Sequence, residues 1–220
     1  MNFEIIRSYL PLYIKAFMLT IRIGWIGIML SLGIGVVSAF ILHFRIPVAS
    51  GIVKVYVELF RNTPLLVQLF FVYFGLPKLG ISISAEACGA LGLGLLGGSY
   101  MAESIRSGLG AVSASQTEGA LALGMTKRQL FTSVILPQAF TLSVPALVAN
   151  VIFLLKETSV FSAISLMDLM FTAKDLIGLY YNTTECLFML VVFYVFMLLP
   201  VSIAGSIIEK KTRFKMFGDK

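Results

Sequence analysis

Charge is what this chain has least of. Only 13% of its 220 residues are Asp, Glu, Lys or Arg, about half the share of an ordinary soluble domain, which excludes a surface that faces water all round. There are two cysteines and one histidine. Cys88 and Cys186 fall in apolar runs and read as packing thiols; they are too few for a disulfide framework. His43 is a lone loop residue with no ligand neighbour in sequence, so no metal site is expected. No GxxxxGK[ST] phosphate loop occurs, so the glycine-rich stretch is not a nucleotide-binding loop. The absence of a His/Cys/Asp cluster or nucleophile motif argues against an enzyme. No internal repeat is found, which weighs against a self-contained secondary carrier or channel, the rival function class.

Apolar residues fill the space that charge leaves. They make up 58% of the chain, and the mean hydropathy is +0.95. A bilayer core of about 30 Å needs about 20 apolar residues per helix. Windows at 18–42, 53–77, 85–106, 134–156 and 185–208 qualify. Backbone groups surrounded by lipid must be satisfied within each segment, so the windows are helices. The expectation is an all-α integral membrane protein, multi-pass, with about five spans in one domain over 1–220. The first run is too long for a signal peptide and reads as a retained helix.

Lys and Arg in the short loops set the orientation. One side carries Arg45, Lys54, Arg106, Lys127, Arg128 and the tail cluster Lys210, Lys211, Arg213, Lys215 and Lys220. The other carries Arg7, Lys78, Lys156 and Lys174, offset by Glu4, Glu157, Asp168 and Asp175. The first side is expected to be cytoplasmic, with the N-terminus outside and the C-terminus inside. The net charge of +6 then reflects topology and anionic lipid binding by the tail, and calls for no nucleic acid.

The 107–133 loop is not an ordinary connection. Ser115-Gln-Thr-Glu118 has the spacing of a capping box, Gly124 stands where a left-handed residue would stop a short helix, and Thr126-Lys-Arg-Gln129 repeats the box. Pro137 is expected to bend the second helix as it enters the membrane. The first helix exposes Leu121 and Leu123 with little polar cover. A shaped insert in the aqueous loop of a membrane protein fits presentation to a soluble partner; a solvated loop with two chance caps is the plainer reading.

Glu118-Gly119-Ala120-Leu121, Gly124 six residues after the Glu, and then Val134-Ile-Leu-Pro137 resemble the EAA loop by which ABC importer permeases dock their ATPase. Position 119 departs from the usual alanine, and an interior glycine costs a helix about 1 kcal/mol relative to alanine. The resemblance extends further. Glu58-Leu-Phe-Arg61-Asn62-Thr63-Pro64-Leu-Leu-Val-Gln68 is similar to the second-helix signature of polar amino acid uptake permeases. Tyr100-Met-Ala-Glu103-Ser-Ile-Arg106-Ser-Gly108 resembles the third, and Leu155-Lys156-Glu157-Thr158-Ser159 the segment after the fourth.

The resemblance implies a type I ABC importer permease in the bacterial cytoplasmic (inner) membrane. It also implies a paired ATPase subunit that binds ATP and Mg, an extracytoplasmic amino acid-binding protein, and a second permease copy as homo- or heterodimer. No cofactor is implied in this chain itself. The amino acid, cystine or a basic one among the candidates, is not named by these residues.

The pathway residues have two readings each. Glu58 and Arg61, and likewise Glu103 and Arg106, are three apart on one helix and can neutralise each other as structural braces. An ionisable group in a span also marks a pathway by default, Glu103 beside Tyr100 most of all. Asn62, Thr63 and Gln68, with Pro64 freeing a backbone carbonyl, suit a translocation path or interhelical polar packing. The resemblance associates Lys156 and Glu157 with substrate contact; the alternative is an interfacial anchor. Gly94 and Gly98 permit close helix approach, within the subunit or across a dimer.

Overall fold

The computed structural model describes residues 1–217, with side chains to residue 212, so Arg213, Lys215 and Lys220 of the tail cluster lie outside the described side chains. Helix α1 runs from Phe3 to His43. Its 41 residues extend about 60 Å, twice the hydrocarbon thickness. The 18–42 window is therefore only its second part. Glu4, Arg7 and Lys15 dilute the apolar signal ahead of it, but the Asn2 side chain caps the end by accepting from the Glu4 amide at 3.0 Å. The extra turns are anchored elsewhere: the buried Tyr13 hydroxyl donates to the Cys186 carbonyl at 2.8 Å.

Helix α4 (Ala85–Gly110) is the axis of the bundle. Among the described residues three helices are long and apolar enough to cross a membrane, and a fourth if a bent pair counts as one span. The 85–106 window is α4, which is long enough but not among these. Its glycines lower its hydropathy and let α1 approach where a side chain would collide. A Cβ on Gly97 would stand 2.2 Å from Ser31 Oγ and 2.5 Å from Leu154 Cδ1. Gly94 and Gly98 face Leu30 and Ile34 of α1 in the same way, so they pack within the subunit. The Ser31 hydroxyl reaches the Leu93 carbonyl at 2.9 Å, which keeps its polar atoms satisfied at this contact.

The second window is not one straight span. Helix α2 (Ala49–Arg61) ends at Asn62, and α3 (Leu65–Phe70) begins after Pro64, followed by a π turn at Phe71–Gly75 and a 3-10 turn at Leu76–Leu79. The chain bends by 107° between the two halves. Pro64 is extended (φ −62°, ψ 142°), as a residue just before a helix is, and it supplies no amide to the α2 ladder.

The insert forms α5 (Ala114–Ala122) and α6 (Lys127–Gln129), which passes through a π turn at Leu130–Ile135 into α7 (Leu136–Glu157). A 3-10 helix at Thr158–Ile164 extends it. Lys127–Ile164 counts as a single 38-residue stretch, so the fourth span is longer than 134–156. A π turn lies just ahead of Pro137, and the helix continues through both as one stretch, so the missing proline amide does not end it. Helix α8 (Leu169–Tyr180) was not expected from the sequence; helix α9 (Thr183–Phe217) comes after it and contains the 185–208 window. Cys88 and Cys186 are fully buried and free.

Candidate functional site

The insert is built as its spacing predicts at one end and not at the other. Thr126 and Gln129 form a reciprocal capping box: the Gln129 amide donates to the Thr126 hydroxyl at 3.3 Å, and Gln129 Oε1 accepts from the Thr126 amide at 2.9 Å. The Ser115–Glu118 box does not form. Helix α5 begins one residue before Ser115, with Ser113 as its cap residue, and the Ser113 and Ser115 hydroxyls bond each other at 2.7 Å. Gly124 sits at φ +78°, with its amide donating to the Leu121 carbonyl at 2.9 Å; this is the left-handed stop that a side chain would strain.

Between these ends α5 turns Ala120 inward and holds Leu121 and Leu123 outward, 49% and 84% exposed. Glu118 and Gly119 are exposed as well. A Cβ at Gly119 would meet nothing, so no packing constraint requires glycine there. Leu121 in the last turn of α5 and Leu123 at its C-terminal cap leave uncovered apolar surface beside the Gly124 stop, suited to a partner's groove.

A second cluster lies where α2, α4 and α7 meet. The expected Glu58–Arg61 pair is absent. Glu58 Oε2 instead accepts from the Asn62 amide nitrogen at 3.2 Å, which leaves Arg61 free to turn toward α4. There the Arg61 guanidinium stands 3.9 Å from Glu103 and 5.4 Å from the centre of the Tyr100 ring. The Glu103–Arg106 pair does form, with two bonds at 3.0 and 2.5 Å. Glu103 is thus shared between two arginines from two helices. Tyr100 in turn lies 5.4 Å from Phe153 of α7. The Gln68 amide pins the break by donating to the Phe60 carbonyl at 3.1 Å and to the Thr63 carbonyl at 3.1 Å. Arg61, Tyr100, Glu103 and Arg106 are therefore one assembly, and Asn62 and Gln68 hold the corner that carries it.

Lys156 and Glu157 stand apart, about one turn along α7 from Phe153 and away from Glu103. Lys156 is exposed and Glu157 half-buried. Neighbouring residues on a helix project in directions about 100° apart, and neither is in an ion pair among the described residues.

The roles of two polar positions escaped the sequence reading. The Asn150 side-chain amide donates to the Ser104 hydroxyl at 2.9 Å, tying α7 to α4 directly beside Glu103. Asp168 is fully buried and caps α8, accepting from the Phe171 amide at 2.8 Å. Burial pushes its carboxyl up to about 7 against the opposing pull of those amide bonds. The Asp-x-x cap position before an apolar run is a helix-start signal for α8 that was available in the sequence.

A helical bundle with a cornered second span and a capped polar insert defines a type I ABC importer permease fold. Residues 31–214 match the family described as "Binding-protein-dependent transport system inner membrane component". The "Probable amino-acid ABC transporter permease protein PatM" of Vibrio harveyi is 36% identical over 79% of this chain and 79% of its own length. The "Arginine transport system permease protein ArtQ" of Bacillus subtilis (strain 168) is 30% identical over 97% and 98%. A chain from the "Crystal structure of an amino acid ABC transporter with histidines" superposes with a TM-score of 0.90 at 32% identity, over 96% of this chain and 99% of that one. The protein belongs to this family of ABC transporter permeases.

Proposed function

We propose that this chain is the transmembrane subunit of an ATP-driven importer of a polar amino acid and that α5 seats a separate ATPase subunit. The observation that carries the docking role is the exposure of Leu121 and Leu123 at the C-terminal end of α5, beside the Gly124 stop and the Thr126–Gln129 box. The amino acid class rests on relatives named for amino acid, glutamine and arginine transport. Those relatives favour the importer over a self-contained carrier or channel.

In this reading the insert and the Lys/Arg-rich loops are cytoplasmic, and residues 157–184 face outward toward an extracytoplasmic binding protein. ATP and Mg act in the partner ATPase. A second permease copy completes the pathway, and this chain contributes gating and selectivity without covalent chemistry. Closure of the paired ATPases moves α5, and α7, continuous with the insert, carries that movement across the membrane.

Lys156 and Glu157 meet the amino acid as it leaves the binding protein, and the Tyr100–Glu103 assembly lines the deeper path. The test of docking is co-purification of the ATPase, with uptake, for Glu118→Lys and Gly124→Pro. Both variants are expected to insert but lose coupled transport, and normal uptake by both would overturn the docking role. Impermeant thiol labelling at Ser113→Cys and Thr172→Cys checks orientation; Cys88 and Cys186 are buried in the background. Only the second site should react from outside.

A further inference from the structure

The ATPase stroke has an evident route along α7, but the π turn opens a second one. Leu130–Ile135 is wound with an extra residue per turn, which rotates the later side chains by about 100°. Within it the half-buried Phe131 lies against the last turn of α1. Its ring centre is 5.2 Å from Phe44, 5.7 Å from His43 and 6.2 Å from Phe40. His43 and Phe44 are themselves 5.1 Å apart, and Phe40 and Phe44 6.1 Å. Aromatic rings at these separations attract one another in offset or edge-on arrangements. The box joins the segment leading out of the insert to the end of a helix far away in sequence.

Immediately after the box the chain makes a strained turn. Arg45 and Val48 both have left-handed backbones, at φ 49° and 66°. For a β-branched residue such as Val48 this is a genuine outlier. Its side chain is 80% exposed, so packing does not hold it there. Conformations of this kind cluster at elements that switch. Helix α2 starts directly after Val48, is tied to α4 by the Tyr56 hydroxyl donating to the Leu95 carbonyl at 2.6 Å, and ends with Arg61 on Tyr100 and Glu103.

We infer that Phe131 is a positioning residue for transport: through the Phe40–His43–Phe44 box it links the insert to the α1–α2 turn. Movement received on α5 then reaches α2 and the Arg61–Glu103 corner by a route separate from α7. The inference rests on the docking role proposed for α5.

The test places single reporter cysteines at Val55→Cys on α2 and Phe140→Cys on α7, 69% and 61% exposed in the native chain. The buried Cys88 and Cys186 stay unreactive. Maleimide labelling rates are compared with and without ATP and vanadate in the complex with its co-purified ATPase. Both reporters should respond in the parent. Phe131→Ala should shrink the response at Val55 by about two- to thirty-fold, the range that coupling residues span, while Phe140 keeps its response. Phe131→Tyr should restore it. The double variant His43→Ala/Phe44→Ala leaves the insert untouched and must give the same selective loss, which decides the matter if Phe131→Ala fails to assemble.

Persistence of the Val55 response in these variants, or equal loss at both reporters, overturns the inference. A parent that responds at Phe140 but not at Val55 also removes the aromatic link while sparing the docking role. A parent that responds at neither site removes both.

Discussion

Whether Glu103 serves two arginines or one is measurable as a set of coupling energies. The perturbations are Glu103→Gln, Arg106→Gln, Arg61→Gln and Glu58→Gln, singly and in pairs. Charge-assisted hydrogen bonds contribute about 1.5–3 kcal/mol each when shielded, and exposed ion pairs about 0.2–1 kcal/mol. The Glu103 side chain is 29% exposed, Arg106 52% and Arg61 37%, so solvent screening removes much of the larger figure. Glu103→Gln is therefore expected to cost about 1–2 kcal/mol. Coupling should be about 1 kcal/mol for Glu103–Arg106, which share two bonds, and about 0.5 kcal/mol for Glu103–Arg61 at its longer single contact. For Glu58–Arg61 it should vanish within error, because Glu58 is held by Asn62. Helix spacing alone would give Glu58–Arg61 and Glu103–Arg106 the same few tenths of a kcal/mol. The assay is reversible denaturant unfolding of the protein in mixed micelles, analysed as double-mutant cycles. A Glu58–Arg61 coupling as large as that of Glu103–Arg61 would refute the shared-carboxylate geometry.

Three further outcomes are expected. Gly97→Val should cost about 1–3 kcal/mol by overpacking against Ser31 and Leu154, seen as lower membrane abundance and lower melting temperature, while Gly119→Ala, with open space around it, should be neutral or better. Gly124→Ala should cost about 1–2 kcal/mol of backbone strain at its left-handed position, confined to the insert, so ATPase co-purification weakens while the melting temperature of the bundle holds. Asp168 titrates at about 7 in the fold and near 3.9 when unfolded. The folded state therefore holds the extra proton between those values, and the stability from this group is full below the lower one and lost as pH rises through the upper. Melting temperature should fall between about pH 4 and about pH 7 in the parent, level off above that, and change less in Asp168→Asn.

Three of the five expected crossings, and a fourth as a bent pair, were legible because lipid demands apolar length, and length is written directly in the chain. The stop at Gly124 was legible too, since few residues other than glycine tolerate its backbone. Other features depended on distance rather than spacing. The break at Pro64 was legible from a proline set among polar residues, but the size of the 107° bend was not, because the apolar average continues through it. Arg61 sits three residues from Glu58, yet its partner belongs to another helix, because the Asn62 side chain occupies Glu58 first. Helix α8 is too short to cross a bilayer and was absorbed into a loop between two longer runs. The cap at Ser113 instead of Ser115 was a competition between two serines in neighbouring positions that local pattern does not resolve.

The glycine-lined helix at the centre of the bundle has a consequence for how the protein is made. Helix α4 is long enough to cross the bilayer, but its glycines leave it less apolar than the three strongest spans. It gains its place from α1, whose side chains occupy the spaces that Gly94, Gly97 and Gly98 leave open. Helix α1 precedes α4 in the chain, so it is made before α4, and it is long and apolar enough to cross a membrane. Synthesis order therefore supplies the packing partner before the helix whose glycines are fitted to it.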